Sequence, residues 1–443
     1  MDMQVMICFA ITILLMVLFI WNPYKSIATT TVLGILLYFV TGCVDEEAII
    51  QSFGNTTGLL TCTMFVVSAG FNKTQFVRRI AELVHRVSNG SLAKVMLGYG
   101  AIGVILDMFI PSALAVFCIL SPMLAATVED MGYSPSKVMF PFAVLTIANM
   151  ASLPIGGCAT MYAQYNAQLE ALGAAPTAEI FDPMIGRLPV LIVSFIYCCF
   201  IATKFTPDRP VVSIVGIDDM EGGGSERAKK ALEKAPLSSF HETAALVIFF
   251  GVTIGLLVIN VFELPFVLEN WNITLAGALL MIFTGVLKPK EASKAIPLWV
   301  WLMFVGGLVM ASALAKTGAG DMIGNAVASV VNNFPITPLY YLMLSVGPYI
   351  CTNFLNNRTT NFIFYPIAIQ ICMSLGADPV GSLICVQAST QIAFIMPTAT
   401  ASVAYCMGAG GYDLKTMFKM GWFPTILFIL VLVVWLSILY PIF

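Results

Sequence analysis

Long apolar runs separated by short polar breaks organise this chain. A helix needs about 20 apolar residues to cross a bilayer, and runs of that kind fall at roughly 4–21, 27–43, 55–72, 138–161, 186–203, 242–261, 270–287, 297–315, 379–403 and 420–441. Two further apolar blocks, 92–128 and 337–375, are each nearly two spans long and are broken in the middle by Pro, Asn or Ser. They read as re-entrant hairpins that enter and leave on one side. Segment 73–89 is amphipathic: Phe76, Val77, Ile80, Leu83, Val84 and Val87 form one face, and Arg78, Arg79, Glu82 and Arg86 the other. It is expected to lie along the membrane interface. Segment 204–240, with Gly222-Gly223-Gly224, is the one soluble stretch and reads as a linker. The first run follows Met1-Asp2-Met3-Gln4 without a basic leader, so it is read as a span and not as a cleaved signal peptide.

Composition agrees with lipid as the solvent. Hydrophobic residues make up 59% of the 443 positions and charged residues 10%, with a mean hydropathy of +0.92, whereas a soluble domain carries about 25% charge. A secreted enzyme, a nucleic-acid binder and a disordered scaffold are excluded, and a net charge of −3 points to no charged macromolecular partner. The eleven cysteines lie mostly in apolar runs and form no CxxC, so they read as small packing residues. With only His85 and His241, and neither HExxH nor GxSxG, zinc chemistry and a serine–histidine triad lack their parts. No nucleotide-binding motif supports transport driven by ATP, and no cofactor is expected.

Lysine and arginine orient the chain. With ten crossings and an extracytoplasmic N-terminus, eighteen of the 21 basic residues fall on the cytoplasmic side: Lys25, those of segment 73–94, Lys137, those of 204–234 and 288–294, Lys415 and Lys419. Arg187 and Lys316 fall outside, with the acidic Asp45-Glu46-Glu47, and Arg358 falls within the membrane. The expected location is a bacterial inner membrane, both termini extracytoplasmic and loop 204–241 cytoplasmic.

The two interrupted blocks match each other. Pro122 and Pro366, Gly132 and Gly376, and Pro135 and Pro379 all stand 244 positions apart. Duplication divides the chain into repeats 1–203 and 242–443 around the linker 204–241. Each repeat has five crossings, an odd number, so the second inserts upside down. The fold expected is an all-α polytopic membrane protein, an inverted repeat with one re-entrant hairpin per half. Inverted repeats with broken helices are a transporter signature, with the site at the midplane between the halves.

Each half supplies two breaks where small, hydroxyl and amide residues gather. These are Asp107–Ala113 with Ser152–Gly157, and Thr352–Thr360 with Met396–Ser402. A broken helix frees carbonyls that suit a cation and N–H groups that suit an anion, and lipid does not tolerate such backbone outside a cavity. Arg358 is the sharpest residue. An arginine near the bilayer centre costs about 2.5–3.5 kcal/mol on insertion scales, and its fork suits carboxylate, sulfonate or phosphate oxygens. Substrate contact, a permanent pair with Asp107 and a tip facing water all remain open for it. Asp107 in turn is a candidate to carry a proton, to coordinate a cation or to neutralise Arg358.

At these residues the chain resembles the divalent anion–sodium symporter family, the dicarboxylate and citrate carriers of the ion transporter superfamily. That family carries Ser-Asn-Thr at each hairpin tip, nine residues from Asn to a Pro. The same count back from Pro366 lands on Asn357, within Asn356-Asn357-Arg358-Thr359-Thr360, and back from Pro122 on Ala113, within Ser112-Ala113-Leu114. The family's Gly-Thr-Pro and Ala-Thr-Pro breaks look like Gly156-Gly157 and Ala399-Thr400-Ala401. The resemblance implies substrate between the tips, with Ser112, Asn356, Asn357, Arg358, Thr359, Thr360 and Thr400 as its contacts. It implies sodium as coupling ion, held by Thr352, Asn357 and carbonyls near Leu355 and Ala399 in the second half, and by Ser112 and the Gly156 carbonyl, with Asp107, in the first. Ala113 stands where the family has Asn, Met108 where a hydroxyl is usual, and Arg358 where the second motif has Thr. A fixed charge at 358 substitutes for a lost sodium ion, lowering the cation count or permitting anion exchange. The resemblance further implies an elevator motion against a scaffold homodimer, with 73–89 as a linking arm.

The first reading is therefore a secondary transporter of a small organic anion, a di- or tricarboxylate with a sulfonate as nearest variant, by cation symport or anion exchange. The alternative is a sodium/proton antiporter of the same superfamily using Asp107. Arg358 discriminates, because a cation path opposes it. A passive anion channel comes third, and an enzyme has no catalytic set.

Overall fold

The structure is a computed structural model. It describes residues 3–21, 26–71, 73–76, 91–110, 112–154, 159–214, 237–261, 269–296, 298–320 and 335–443, together with positions 322, 325 and 329. The described residues are helical, with no strand among them. The first half contains α1 (Met3–Trp21), α2 (Ile27–Val40), α3 (Glu46–Phe53), α4 (Thr56–Phe71), α5 (Leu92–Phe109), α6 (Ala113–Asp130), α7 (Met139–Ala148), α8 (Met161–Ala171) and α9 (Asp182–Ile196), which runs on through a π-turn at Tyr197–Ile201. The second contains α10 (Ser239–Val261), α11 (Asn270–Phe283), α12 (Pro289–Ala295), α13 (Leu298–Thr317), α14 (Thr337–Thr352), α15 (Asn357–Leu375), α16 (Val380–Thr390), α17 (Ala401–Gly410) and α18 (Leu414–Leu439).

By length and composition, six of the described helical segments can cross a membrane: Leu92–Phe109, Ala113–Asp130, Asp182–Lys204, Ser239–Leu256, Val300–Thr317 and Leu414–Leu439. Several expected crossings are shorter as helices. α2 and α11 have 14 residues each, about 21 Å at 1.5 Å per residue. The interrupted spans separate into two short helices each. In the first half the second piece, α8, reaches Ala171, ten residues beyond the expected end at 161. Hydropathy concealed it, because Met161–Ala171 mixes Gln, Asn and Glu with Tyr and Ala. The short α3 and α12 were likewise hidden in polar connections. Most of segment 73–89, and the linker from 215 to 236, lie outside the described residues. The start of the linker is tied down: the N–H groups of Val211 and Val212 donate to the Gly411 carbonyl at 2.8 and 3.1 Å.

Helix bounds recur within two residues of a spacing of 244: α2 with α11, α3 with α12, α4 with α13, α5 with α14, and α6 with α15. Gly132 and Gly376, both left-handed (φ +81° and +69°), follow the second hairpin helix in each half and stop it where a side chain would be strained. Contacts are exchanged between the halves in matching fashion. α4 packs on α11, while their counterparts α13 and α2 pack on each other. Lys73 Nζ donates to the Val286 carbonyl at 3.0 Å and to Glu291 at 2.6 Å. Lys316 Nζ donates to the Gly42 carbonyl at 3.2 Å and to Asp45 at 2.6 Å. α9 and α18 run antiparallel: Tyr440 reaches Asp182, Trp435 the Ile185 carbonyl, and Phe423 packs on Tyr197.

Small residues let the helices approach, as in membrane packing generally. A Cβ on Gly306 would lie 2.3 Å from Thr31 Cγ2, and one on Gly70 would lie 2.4 Å from Met281 Sδ. Between α4, α5 and α10 an aromatic cluster closes the core, with Phe71 4.4 Å from Phe249 and 5.3 Å from Phe109, ring centre to ring centre.

Candidate functional site

Each hairpin tip is shaped by the N-cap of its second helix. Ser112 Oγ accepts from the Ala115 N–H at 3.3 Å, and Asn356 Oδ1 from the Thr359 N–H at 2.9 Å. The two caps occupy equivalent positions, and capping residues of this kind satisfy N–H groups that a helix start leaves open. Thr400 caps α17 in the same way, accepting from Ser402 N–H at 3.3 Å. Thr359 and Thr360 turn inward and are buried, and Thr360 Oγ1 donates to the Asn356 carbonyl at 3.2 Å.

In both halves the tip meets the break. In the first, the Leu153 N–H donates to Met108 Sδ at 3.3 Å. In the second, Thr398 Oγ1 donates to the Asn353 carbonyl. Thr352 Oγ1, fully buried, donates to Asn357 Oδ1 at 2.8 Å and lies 3.5 Å from the Thr390 carbonyl. Three oxygens from two hairpin helices and the break therefore converge, a donor set that suits a hard cation. Leu355 and Ala399 are buried in the same region. Gly156 lies outside the described residues.

Arg358, half-buried in the first turn of α15, lines a cavity. Its wall also contains Met150, Ala151, Met161, Gln164, Asn357, Asn361, Tyr365, Gln387 and Gln391. On its other side the guanidinium lies 5.6 Å from the centre of the Phe65 ring, a cation–π arrangement. Trp301 and Phe304 complete an aromatic wall beside it. The cavity thus combines one fixed positive charge with five neutral amide side chains, and draws on α8, α15, α16 and the end of α7; the pocket on the other side of Arg358 draws on α4 and α13. Gln391 is 2% exposed, and its Oε1 has no hydrogen-bond partner among the described residues. Gln387 is held by Tyr165 OH and by Met161 Sδ.

Of the expected substrate contacts, Asn357 and Arg358 reach this cavity; Ser112, Asn356 and Thr400 serve as helix caps, and Thr359 and Thr360 as buried packing. Asp107 is fully buried within α5. Gln164, Asn361, Gln387 and Gln391 were not foreseen. Their signal was available in the spacing: Asn357 with Asn361, and Gln387 with Gln391, are i,i+4 amide pairs on one helix face within apolar blocks.

Arg187, expected on the outer side of the membrane, is 1% exposed and lies inside the protein. α9 begins at Asp182, earlier than the apolar run suggested, so position 187 is already more than a turn along the helix. Its Nη2 donates to the Ala148 carbonyl at 2.7 Å, and its Nη1 to Met150 and Ala151 at 2.9 and 3.1 Å. These are the carbonyls freed where α7 ends. Ala151 is left-handed, at φ +59°, the one non-glycine residue so placed among those described, a conformation costing about 1–2 kcal/mol.

Comparison with known proteins agrees with this architecture. The citrate transporter family (CitMHS) matches residues 16–347. The sodium-dependent dicarboxylate transporter SdcS of Staphylococcus saprophyticus is 22% identical over 450 residues, covering 94% of this chain and 82% of the relative. SdcS of Staphylococcus aureus strain MRSA252 is 21% identical over 455 residues, with the same coverage. Two solved transporters share the fold. YdaH of Alcanivorax borkumensis aligns with a TM-score of 0.60 at 12% identity, covering 90% of this chain and 91% of that one. MtrF of Neisseria gonorrhoeae, from a class described as antimetabolite efflux pumps, aligns with a TM-score of 0.57 at 10% identity, covering 99% and 95%. With three quarters of its length matched, the chain belongs to the citrate transporter family, membrane carriers and not enzymes.

Proposed function

We propose that this chain is a secondary active carrier of a small organic anion, a di- or tricarboxylate with a sulfonate as nearest variant, moved by alternating access with sodium as coupling ion. The observation that carries the reading is Arg358 at the wall of a cavity whose other polar side chains are five neutral amides and Tyr365. Its guanidinium offers paired donors to one carboxylate. Gln164, Gln387, Gln391, Asn357 and Asn361 supply donors and acceptors for a second polar group without adding charge. The names of the two SdcS relatives, sodium-dependent dicarboxylate transporters, support both substrate class and coupling ion. Sodium would lie among Thr352, Asn357 and the Thr390 carbonyl, beside the substrate.

The repeat spacing, the mirrored lysine pairs and the antiparallel α9 and α18 support an inverted repeat, 1–203 and 242–443 around the linker 204–241. On that reading α5–α6 and α14–α15 are re-entrant hairpins and move with the interrupted spans as one body. The remaining helices form the scaffold of a homodimer, with both termini extracytoplasmic in a bacterial inner membrane.

The test is uptake by proteoliposomes of labelled succinate, citrate and a sulfonate, with sodium, pH and internal anion varied. Sodium-stimulated uptake of one of these anions, reduced about ten-fold or more in Arg358→Gln, is expected, since a hydrogen bond to a charged group contributes about 1.5–3 kcal/mol. Sodium–proton exchange without any anion flux would instead establish the antiporter reading, whose support is the fully buried carboxyl of Asp107 in the first hairpin.

A further inference from the structure

The two halves differ at matching positions in a way that bears on cation coupling. In the second half Thr352 and Asn357 place side-chain oxygens beside the Thr390 carbonyl. The residues 244 positions earlier are Met108 and Ala113, a thioether and a methyl, which offer no oxygen. At the first break the carbonyls of Ala148, Met150 and Ala151 are instead taken by the Arg187 guanidinium, at 2.7, 2.9 and 3.1 Å. α18, which runs antiparallel to α9, contains no arginine. One half thus has oxygen ligands and no arginine, while the other has an arginine and has lost both oxygen side chains. Met150 and Ala151, whose carbonyls hold Arg187, also line the cavity that contains Arg358, so Arg187 is linked to the proposed anion site through these two residues.

We infer that Arg187 is a built-in cation: its guanidinium takes the place of a coupling ion at the first break, and sodium binds at the second break alone. An arginine stays protonated at every physiological pH. It also cannot leave with the substrate. The charge that favours an anion is then permanent on one side of the site and exchangeable on the other. A sodium ion beside the carbonyls of Ala148, Met150 and Ala151 would find them occupied by the guanidinium and meet a like charge at close range. This rests on reading the chain as a cation-coupled anion carrier, and it limits the coupling to one sodium ion per cycle.

The experiment is a sodium titration of thermal unfolding, on the purified full chain in detergent, with choline replacing sodium at constant ionic strength. Stabilisation by a ligand that binds only the folded state grows as the logarithm of its concentration, with a limiting slope set by the number of sites. The native chain is expected to give a slope of one sodium or less. A triple variant that copies the second half, Met108→Thr with Ala113→Asn and Arg187→Val, is expected to give two. A native slope of two sodium ions overturns the inference, as does a folded triple variant that keeps the native slope. Where the triple variant does not fold, the native slope decides. Stabilisation by succinate or citrate, measured on the same preparation, tests the carrier reading separately, so the failure of one is distinguishable from the failure of the other.

Discussion

Arg358 and Arg187 are both arginines among apolar helices, and they differ in what they hold. Arg358 was legible in the sequence because it interrupts an apolar block at a hairpin tip. Arg187 was not, because it stands one residue inside a run whose true helix starts at Asp182, and no local pattern reveals that its partners are backbone carbonyls of α7. The amides of the cavity were hidden for a related reason: a single Gln hardly changes the hydropathy of a run, and only the fold brings Gln164 of α8 to Gln387 and Gln391. A prediction follows for Gln391, whose buried Oε1 has no partner among the described residues. Gln391→Leu should leave the thermal midpoint unchanged or raise it, since an unsatisfied buried polar atom costs about 1–3 kcal/mol. The same substitution should weaken anion affinity about five-fold or more, the loss of about one hydrogen bond. A variant that unfolds at lower temperature yet binds the anion normally would contradict that role.

At the scale of elements, the helix pairs α5–α6 and α14–α15 were readable because Pro, Asn and Ser cut otherwise continuous apolar blocks, and their bounds differ little from those of the blocks. The interrupted spans were readable only as far as their first halves, since α8 carries mixed polar sequence and the second break opens on the apolar stretch Ile392–Ile395. Packing between elements was not readable at all. Gly306 shows why: only the structure places it against Thr31 of α2, at a distance no side chain fits. Gly306→Leu should lower stability by about 1–3 kcal/mol through overpacking, observable as a reduced thermal midpoint of the purified chain, and an unchanged midpoint would show that α2 and α13 are not held so closely. At the start of α18, Asp413 Oδ1 accepts from the Thr416 N–H at 2.8 Å, and the hydrogen bonds from Thr416 hold its carboxyl below the usual range. A group whose folded-state pKa is depressed stabilises above its unfolded value, about 3.9 for Asp, and that contribution fades as pH falls through the folded value. The difference in thermal midpoint between the native chain and Asp413→Ala should therefore be present at pH 7 and shrink on acidification below pH 4; a difference that grows on acidification would contradict the cap.

At the scale of the molecule, the three matched residues of the sequence are joined in the structure by matching helix bounds, glycine stops and lysine partners, which support the proposed duplication. Orientation adds a prediction of its own. In spheroplasts, a membrane-impermeant amine reagent should label Lys316 and spare Lys204 and Lys288 until the membrane is opened. The reverse pattern would invert the proposed topology. The central claim, that the cavity at Arg358 is where an organic anion binds, is tested most directly by thermal stabilisation of the purified chain across succinate, citrate and a sulfonate, with Arg358→Gln alongside. At a hundred-fold excess over Kd a ligand specific to the folded state stabilises by about 2.7 kcal/mol. The account predicts that at least one of these anions stabilises the native chain in this way and that Arg358→Gln, though folded, loses most of the effect. Full anion stabilisation retained in Arg358→Gln, or stabilisation of the native chain by sodium or pH with no response to any anion, would contradict it.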